Sequence, residues 1–209
     1  MTRHPAFSDA VRAAQSARGS RDDYAAMEAR GPRTDLAPLA PFLAEARSLV
    51  LATASADGQP YVQHRGGPPG FVRVLGPARL GFADVGGNAQ YVTLGNLSEN
   101  PRAQILVIDF MRRRRIKLWG RAMMVEDDAV LLARLAPSGR PPAPRAFVLD
   151  VAQWDANCPA HIPQRFEADD VAAKLAERDA RIAALEHELQ VLRARGFVRE
   201  GCAGAGDFD

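Results

Sequence analysis

The sequence predicts an α+β chain, mainly β: a closed antiparallel barrel of about six strands, with short helices before it and one long helix after it. Three observations carry that prediction. Residues 48–151 contain short apolar runs at hairpin spacing, separated by glycine, proline and aspartate turns. One helical pattern, at residues 90–100, is inserted among them. Beyond Arg165 the apolar period becomes helical and stays so.

Residues 7–30 read as two helical stretches. Ser8 or Asp9 caps the first, Gly19 stops it, and Ser20 caps the second with Asp22 and Asp23 in its first turn. A third short helix covers residues 37–47. The run from Leu49 to Ala54 ends at Ala56-Asp57-Gly58-Gln59, a hairpin signal, and Tyr61–Arg65 returns antiparallel. Gly66-Gly-Pro-Pro-Gly70 excludes regular helix and central strand. Residues 71–75 and 79–83 form a second hairpin around Gly76-Pro77. After Gly86-Gly87, Asn88 caps the inserted helix and Pro101 stops it. Strands follow at 103–109 and 115–125, joined by an arginine-rich turn. A short helix at 127–135, a proline-rich loop and a last strand at 145–151 complete the barrel.

Val171, Leu175, Arg178, Ile182, Leu185, Leu189 and Leu192 alternate steps of four and three, a heptad seam broken only by Arg178. Such a stripe needs a partner, either the chain's own barrel or a second subunit. The expected organisation is a helical segment at 1–39, a barrel at 40–165, the heptad helix at 166–196 and a disordered tail at 197–209.

Of 27 basic residues only Lys117 and Lys174 are lysine, and against 25 acids the net charge is +2. That balance argues against a nucleic-acid-coating protein, which needs a clear basic excess. No apolar run approaches the roughly 20 residues of a membrane span, and no signal core follows Met1–Pro5. Cys158 and Cys202 lie far apart and match no zinc spacing, so no metal site is expected. The expected setting is the cytoplasm, without structural disulfides.

Phe82-Ala-Asp-Val-Gly-Gly-Asn-Ala-Gln-Tyr-Val-Thr93 reads as strand, glycine turn and helix start. It is either an ordinary capped helix or an anion site, where free N–H groups and the helix dipole are joined by Asn88, Gln90, Tyr91 and Thr93. It has neither a dinucleotide nor a P-loop glycine pattern. Arg65, followed by Gly66, ends a neighbouring strand with a group able to grip a phosphate by two parallel hydrogen bonds. Arg112–Arg115 reads first as a solvated turn that deters edge pairing, with nucleic-acid or phosphate contact as the alternatives. Lys117 shares a strand face with Arg115. Trp154-Asp-Ala-Asn-Cys-Pro-Ala-His-Ile-Pro163 reads either as a loop anchored by a buried tryptophan or as a pocket wall. Cys158 has no companion pattern that makes it a nucleophile.

These segments together resemble the pyridoxamine 5′-phosphate oxidase-like flavoproteins, the FMN-binding split barrels. The resemblance spans residues 40–165 and rests on Gly58-Gln-Pro-Tyr-Val-Gln-His-Arg65, Gly81-Phe-Ala-Asp84, the stretch Gly87–Arg102 with its Glu99-Asn-Pro-Arg exit, Arg114–Ala122 and Asn157–Pro163. It implies a six-stranded split barrel, a homodimer, and FMN held in clefts at the dimer interface. By position it implies cofactor contacts from Arg65, Gly66, Asn88, Gln90, Tyr91 and Thr93, with Lys117 and, from the closing loop, His161 and Trp154 as further candidates. It assigns no catalytic side chain, since a flavin needs its phosphate held, its ring covered and its polar edge tuned.

The chain departs from the true oxidases. Their Arg-x-Val-Leu-Leu-Lys strand and Ser-x-Lys pair are absent, and the heptad helix replaces their C-terminal substrate strand. FMN binding survives these differences better than vitamin B6 oxidation does. The expected function is thus a flavin-dependent oxidoreductase acting on an unidentified small molecule. Its rivals are a binder of deazaflavin F420 or haem in the same barrel, a flavin-binding sensor or storage protein without turnover, and an assembly module built on the helical arm.

Overall fold

The structure, a computed structural model, describes residues 4–157 and 160–196. Cys158, the 197–209 tail and the first three residues lie outside the described part. The chain divides into two compact units, residues 1–164 and 165–209.

The first unit opens with helices α1 (Asp9–Ala17) and α2 (Arg21–Ala29). Ser8 caps α1 by accepting from the Val11 N–H, and Gly19 turns the chain at φ +73°. Glu28 ties the pair together by accepting from Arg12 and Arg21. The third helix is shorter than its sequence pattern: a 3-10 turn at Ala37–Leu39, then α3 (Ala40–Glu45).

Seven strands follow, one more than the six expected: β1 (Ser48–Ala54), β2 (Pro60–Gly66), β3 (Arg73–Gly76), β4 (Arg79–Asp84), β5 (Arg102–Asp109), β6 (Arg114–Val125) and β7 (Arg145–Asn157). Helix α4 (Val92–Glu99) lies between β4 and β5, and α5 (Ala129–Leu135) between β6 and β7. All pairings are antiparallel, in the order β2-β1-β5-β6-β7-β4-β3. The sheet curls into a split barrel: Arg65 on β2, at one end of that order, forms an ion pair with Asp84 on β4, near the other end. Alternation in β1 buries Leu49, Leu51 and Thr53 inside, with Ile105, Val107, Ile116, Leu118, Phe82 and Phe147 among the same core.

The last strand runs six residues beyond the expected Val151, so Trp154 belongs to a strand and not to a loop. A bulge makes this possible. Gly120 pairs with Val151 but Trp119 pairs with Gln153, leaving Ala152 over. The extra residue resets the alternation, so Val151 and Trp154 both face inward and are buried. Gly120 is required there, because a Cβ would stand 2.0 Å from the Asp150 carbonyl oxygen. Trp154 is then pinned from outside the barrel: its ring N–H donates to Asp35 O (2.8 Å) and the Arg33 guanidinium lies 3.5 Å above the ring.

The second unit is α6 (Ala168–Ala194), which ends at Gly196 with φ +75°. Its seam residues Val171, Leu175, Ile182, Leu185, Leu189 and Leu192 are all exposed in the single chain.

The N-terminal segment is held partly by a histidine that must stay neutral. His4 is buried, stacks on Phe7 and meets Trp119 edge-on. Its Nδ1 accepts from the Ala6 N–H at 3.1 Å, so the proton sits on Nε2, which has no partner. Burial lowers its pKa from 6.5 and outweighs the opposing pull of Asp155 and Glu28; Lys117 adds to the lowering. Below pH 6.5 the unfolded segment therefore binds protons that the docked segment refuses, and docking weakens as the pH falls. Glu28 keeps contributing to much lower pH, since Arg12 and Arg21 hold it at about 2, against an ordinary 4.5. Trp119 fluorescence is expected to change below pH 6.5 in the wild type and to stay flat over that range in His4→Phe. A transition of equal size in both proteins contradicts this account.

Candidate functional site

One cleft stands out at the mouth of the barrel. It encloses about 130 Å³ and is partly open to solvent. Tyr61, Gln63 and Arg65 form one wall. Cross-strand pairing with Thr53, Leu51 and Leu49 sets these three on the inner face of β2. The loop from Gly86 to Thr93 forms the floor, and Asp84, Met124 and Arg145 close the far side.

The loop is unusual. Ala89 and Tyr91 both adopt left-handed backbone, with φ +57° and +52°. Left-handed backbone is uncommon outside glycine, and for Tyr91 it puts a bulky residue at the N-cap position of α4. The expected cap, Asn88, instead accepts from the Gln90 N–H at 3.3 Å and closes a tight turn. No side chain caps α4, so its first-turn N–H groups keep their donors for another acceptor. A left-handed residue followed by a helical one also aims successive N–H groups into a common hollow, a geometry that suits an anion.

Charge in the cleft is set by three groups. The Asp84 carboxylate takes Arg65 on one oxygen (3.2 Å) and Arg145 on the other (3.0 Å). The three side chains are 10%, 21% and 16% exposed, so the pairs are shielded from solvent far more than a surface salt bridge. Asp84 holds the Arg145 pKa above its ordinary value. Within the lining two guanidiniums face one carboxylate, and Arg145 also meets the mostly exposed Glu126 at 3.8 Å, outside the lining. Arg65 Nε is buried and finds no acceptor. Arg145 also lies 5.2 Å over the Tyr91 ring, tying the floor to the far wall. Below them, Thr93 donates to Gln63 Oε1 (3.1 Å) and Asn96 donates to Thr53 Oγ1 (3.0 Å), anchoring α4 to the barrel.

The cleft thus brings together Arg65, Asn88, Gln90, Tyr91 and Thr93, all expected from the sequence. Gly66 sits one residue beyond the wall, where a Cβ would crowd the His64 ring at 3.0 Å. Lys117 does not join. It pairs through Leu106 and Val50 to His64, which puts it on the opposite face of the sheet from Arg65, near Trp119 at 5.8 Å. His161 is exposed with φ +66° and is absent from the lining. Trp154 is committed to the core. Arg112 pairs with Asp109 and Glu45, as a surface turn should. Sequence reasoning missed Asp84 as a charge, Arg145, Gln63, Tyr61 and Met124. Asp84 stands inside one of the family-like motifs, but its link to Arg145 depends on the β4–β7 register, where the two are direct partners. Among the described residues no cluster of histidine, cysteine and acids could hold a metal, and no helix is long and apolar enough to cross a membrane.

Residues 37–158 match the sequence model of the pyridoxamine 5′-phosphate oxidase family. The chain belongs to that family. No curated protein matches it at a significant level. Among solved structures it is similar to HupZ of Group A Streptococcus (17% identity, TM-score 0.46, covering 57% of this chain and 91% of that one). It is also similar to a pyridoxamine 5′-phosphate oxidase-related, FMN binding protein of Nostoc punctiforme (17%, 0.41, 56% and 77%). A third is an F420 reductase (22%, 0.41, 55% and 94%).

Asp84→Asn leaves two guanidiniums facing each other without their shared counter-charge. It is expected to destabilise the barrel unit by about 2–3 kcal/mol in urea unfolding, near the lower end for breaking a buried pair because both arginines keep some solvent. A change below about 0.5 kcal/mol, the scale of an exposed surface pair, contradicts the role given to it.

Proposed function

We propose that this cleft binds FMN and that the protein is a flavin-dependent oxidoreductase acting on a small molecule. The observation that carries the reading is the pairing of an unpartnered, buried Arg65 Nε with the uncapped N-terminus of α4 in one cleft. Both are donors without acceptors, and a phosphate supplies acceptors to both.

The residues present fit the group. Arg65 and the first-turn amides of α4 would hold the phosphate, while the Thr93 hydroxyl, donated to Gln63, keeps the helix start in place. Asp84 keeps Arg65 and Arg145 in place and offsets part of their positive charge. Tyr61, Tyr91 and Met124 offer the apolar and aromatic surface that a planar ring requires. When bound, the flavin supplies hydride or electron transfer. The chain's own part is binding and orientation: the donors fix the phosphate end, and the left-handed loop sets where the ring can lie. The open side of the cleft suits the homodimer that the family resemblance implies, with a second subunit supplying the missing wall.

F420 and haem are rival occupants, and a flavin carrier without turnover is the third alternative. F420 would bring further anionic groups along its side chain. Haem takes an axial histidine, cysteinate, methionine or tyrosinate, and of these the lining holds only Met124, Tyr61 and Tyr91. FMN therefore fits the donor set best.

The purified protein is expected to be yellow or to take up added FMN at micromolar concentration, to prefer FMN to riboflavin, and to oxidise a reduced nicotinamide donor or another small reductant. Arg65→Ala is expected to weaken FMN by roughly 10- to 100-fold, the value of one or two charge-assisted hydrogen bonds, and riboflavin hardly at all. Fluorescence titration reads both. Colourless protein that fails to bind FMN, or that takes F420 or haem in preference, overturns the proposal.

A further inference from the structure

The face left unexplained by the barrel is the seam of α6. In the single chain its apolar residues are exposed, and none of the helix's described residues is buried. A stripe of this kind on a charged helix is not stable in water on its own account. We propose that α6 pairs with α6 of a second copy of this chain as a parallel, in-register, two-stranded coiled coil. This goes beyond the flavin reading and does not rest on it.

The charge pattern decides the partner and its direction. Written as heptads, Leu175, Ile182 and Leu189 fall at a, and Val171, Arg178, Leu185 and Leu192 at d. The flanking g positions are Lys174, Arg181 and Glu188, and the e positions Asp179, Glu186 and Arg193. In a parallel pair each g residue faces the e residue five positions later on the other helix. Lys174 then meets Asp179, Arg181 meets Glu186, and Glu188 meets Arg193. All three are opposite in sign, although the sign of g reverses along the helix. An antiparallel pair centred on the same seam sets e against e and g against g: Asp179 meets Glu186, acid on acid, and Arg181 meets Glu188, so repulsion offsets attraction where the parallel pair has attraction alone. At its centre, Ile182 at a followed by Leu185 at d is the combination that favours two strands, while the flanking a positions Leu175 and Leu189 are leucine.

Lys174 also pairs with Glu177 on its own helix (2.6 Å); both are mostly exposed, so that contact is weak and leaves the ammonium free to face across the seam. Arg178 is the one d position that opposes packing. Its guanidinium stands beside Asp179 of the other helix, and a single polar seam residue of this kind fixes register at some cost in stability.

The test is disulfide trapping in the full chain, with the native cysteines removed as Cys158→Ser and Cys202→Ser. Leu192→Cys places a thiol at the seam, and Ala180→Cys places one at an f position on the outer face. Under mild oxidation Leu192→Cys is expected to form a covalent dimer roughly tenfold or more faster than Ala180→Cys, because the seam holds the two thiols at high effective concentration. In an antiparallel pair Leu192 lies opposite Leu175, and two Leu192 positions stand roughly 25 Å apart. Cross-linking in a mixture of Leu175→Cys and Leu192→Cys chains, without cross-linking of Leu192→Cys alone, overturns the parallel assignment. Equal rates at Leu192 and Ala180, or no dimer at either, overturn the pairing altogether. None of these outcomes depends on a bound flavin, so failure here leaves the reading of the cleft standing.

Discussion

The shared carboxylate of Asp84 is the constraint on which the mouth of the barrel depends. It sits on β4 and takes Arg145 from the neighbouring β7 and Arg65 from β2, at the far end of the strand order. No backbone ladder joins β2 to β4, so this ion pair links strands that the hydrogen-bonded sheet leaves apart. The same contact positions the only cationic group that reaches the cleft from β2. Stability and site therefore use one interaction. The strained loop beneath it fits this picture. Two non-glycine residues in left-handed backbone are expensive to hold, and they persist where surrounding packing fixes them.

How much of this the sequence disclosed depends on whether a feature is local. The turn at Gly86-Gly87, the presence of a helix after it, the stop at Pro101 and the heptad seam follow from neighbouring residues and are readable, whereas α4 starts at Val92 and not at residue 90, with its expected cap Asn88 closing a turn ahead of it. Arg65 is readable because glycines after it and a helix start opposite give it a place. Arg145 is not, because its value comes from cross-strand pairing with Asp84, a relation between residues 61 positions apart. Lys117 shows the same limit from the other side. Its spacing puts it on the face of Arg115, but which face of β6 meets the cleft is set by register across β5 and β1, and that register turns Lys117 outward. The extra length of β7 is hidden by a single-residue bulge, which lets Trp154 return to the inner face where strict alternation would have sent it out.

The N-terminal segment and the end of β7 are bound to each other by partly buried polar contacts. Arg33 stacks on Trp154 while its backbone N–H donates to Gln153, and Trp154 donates to Asp35. These contacts take Trp154 out of consideration as a flavin contact and give it a structural role, in which it locks the chain entry to the barrel against the last strand. His4 and Trp119 do the same on the outer face.

In the proposed reading, Arg65 holds a phosphate while Arg145 stays on Asp84. The most direct measurement is the arginine Nε–H region of a ¹⁵N NMR spectrum, with the Arg65 signal assigned by its loss in Arg65→Lys. Addition of FMN is predicted to shift the Arg65 signal strongly and the Arg145 signal little, and addition of riboflavin, which lacks the phosphate, to leave Arg65 in place. An Arg65 signal that ignores FMN, or that moves equally with riboflavin, contradicts the account.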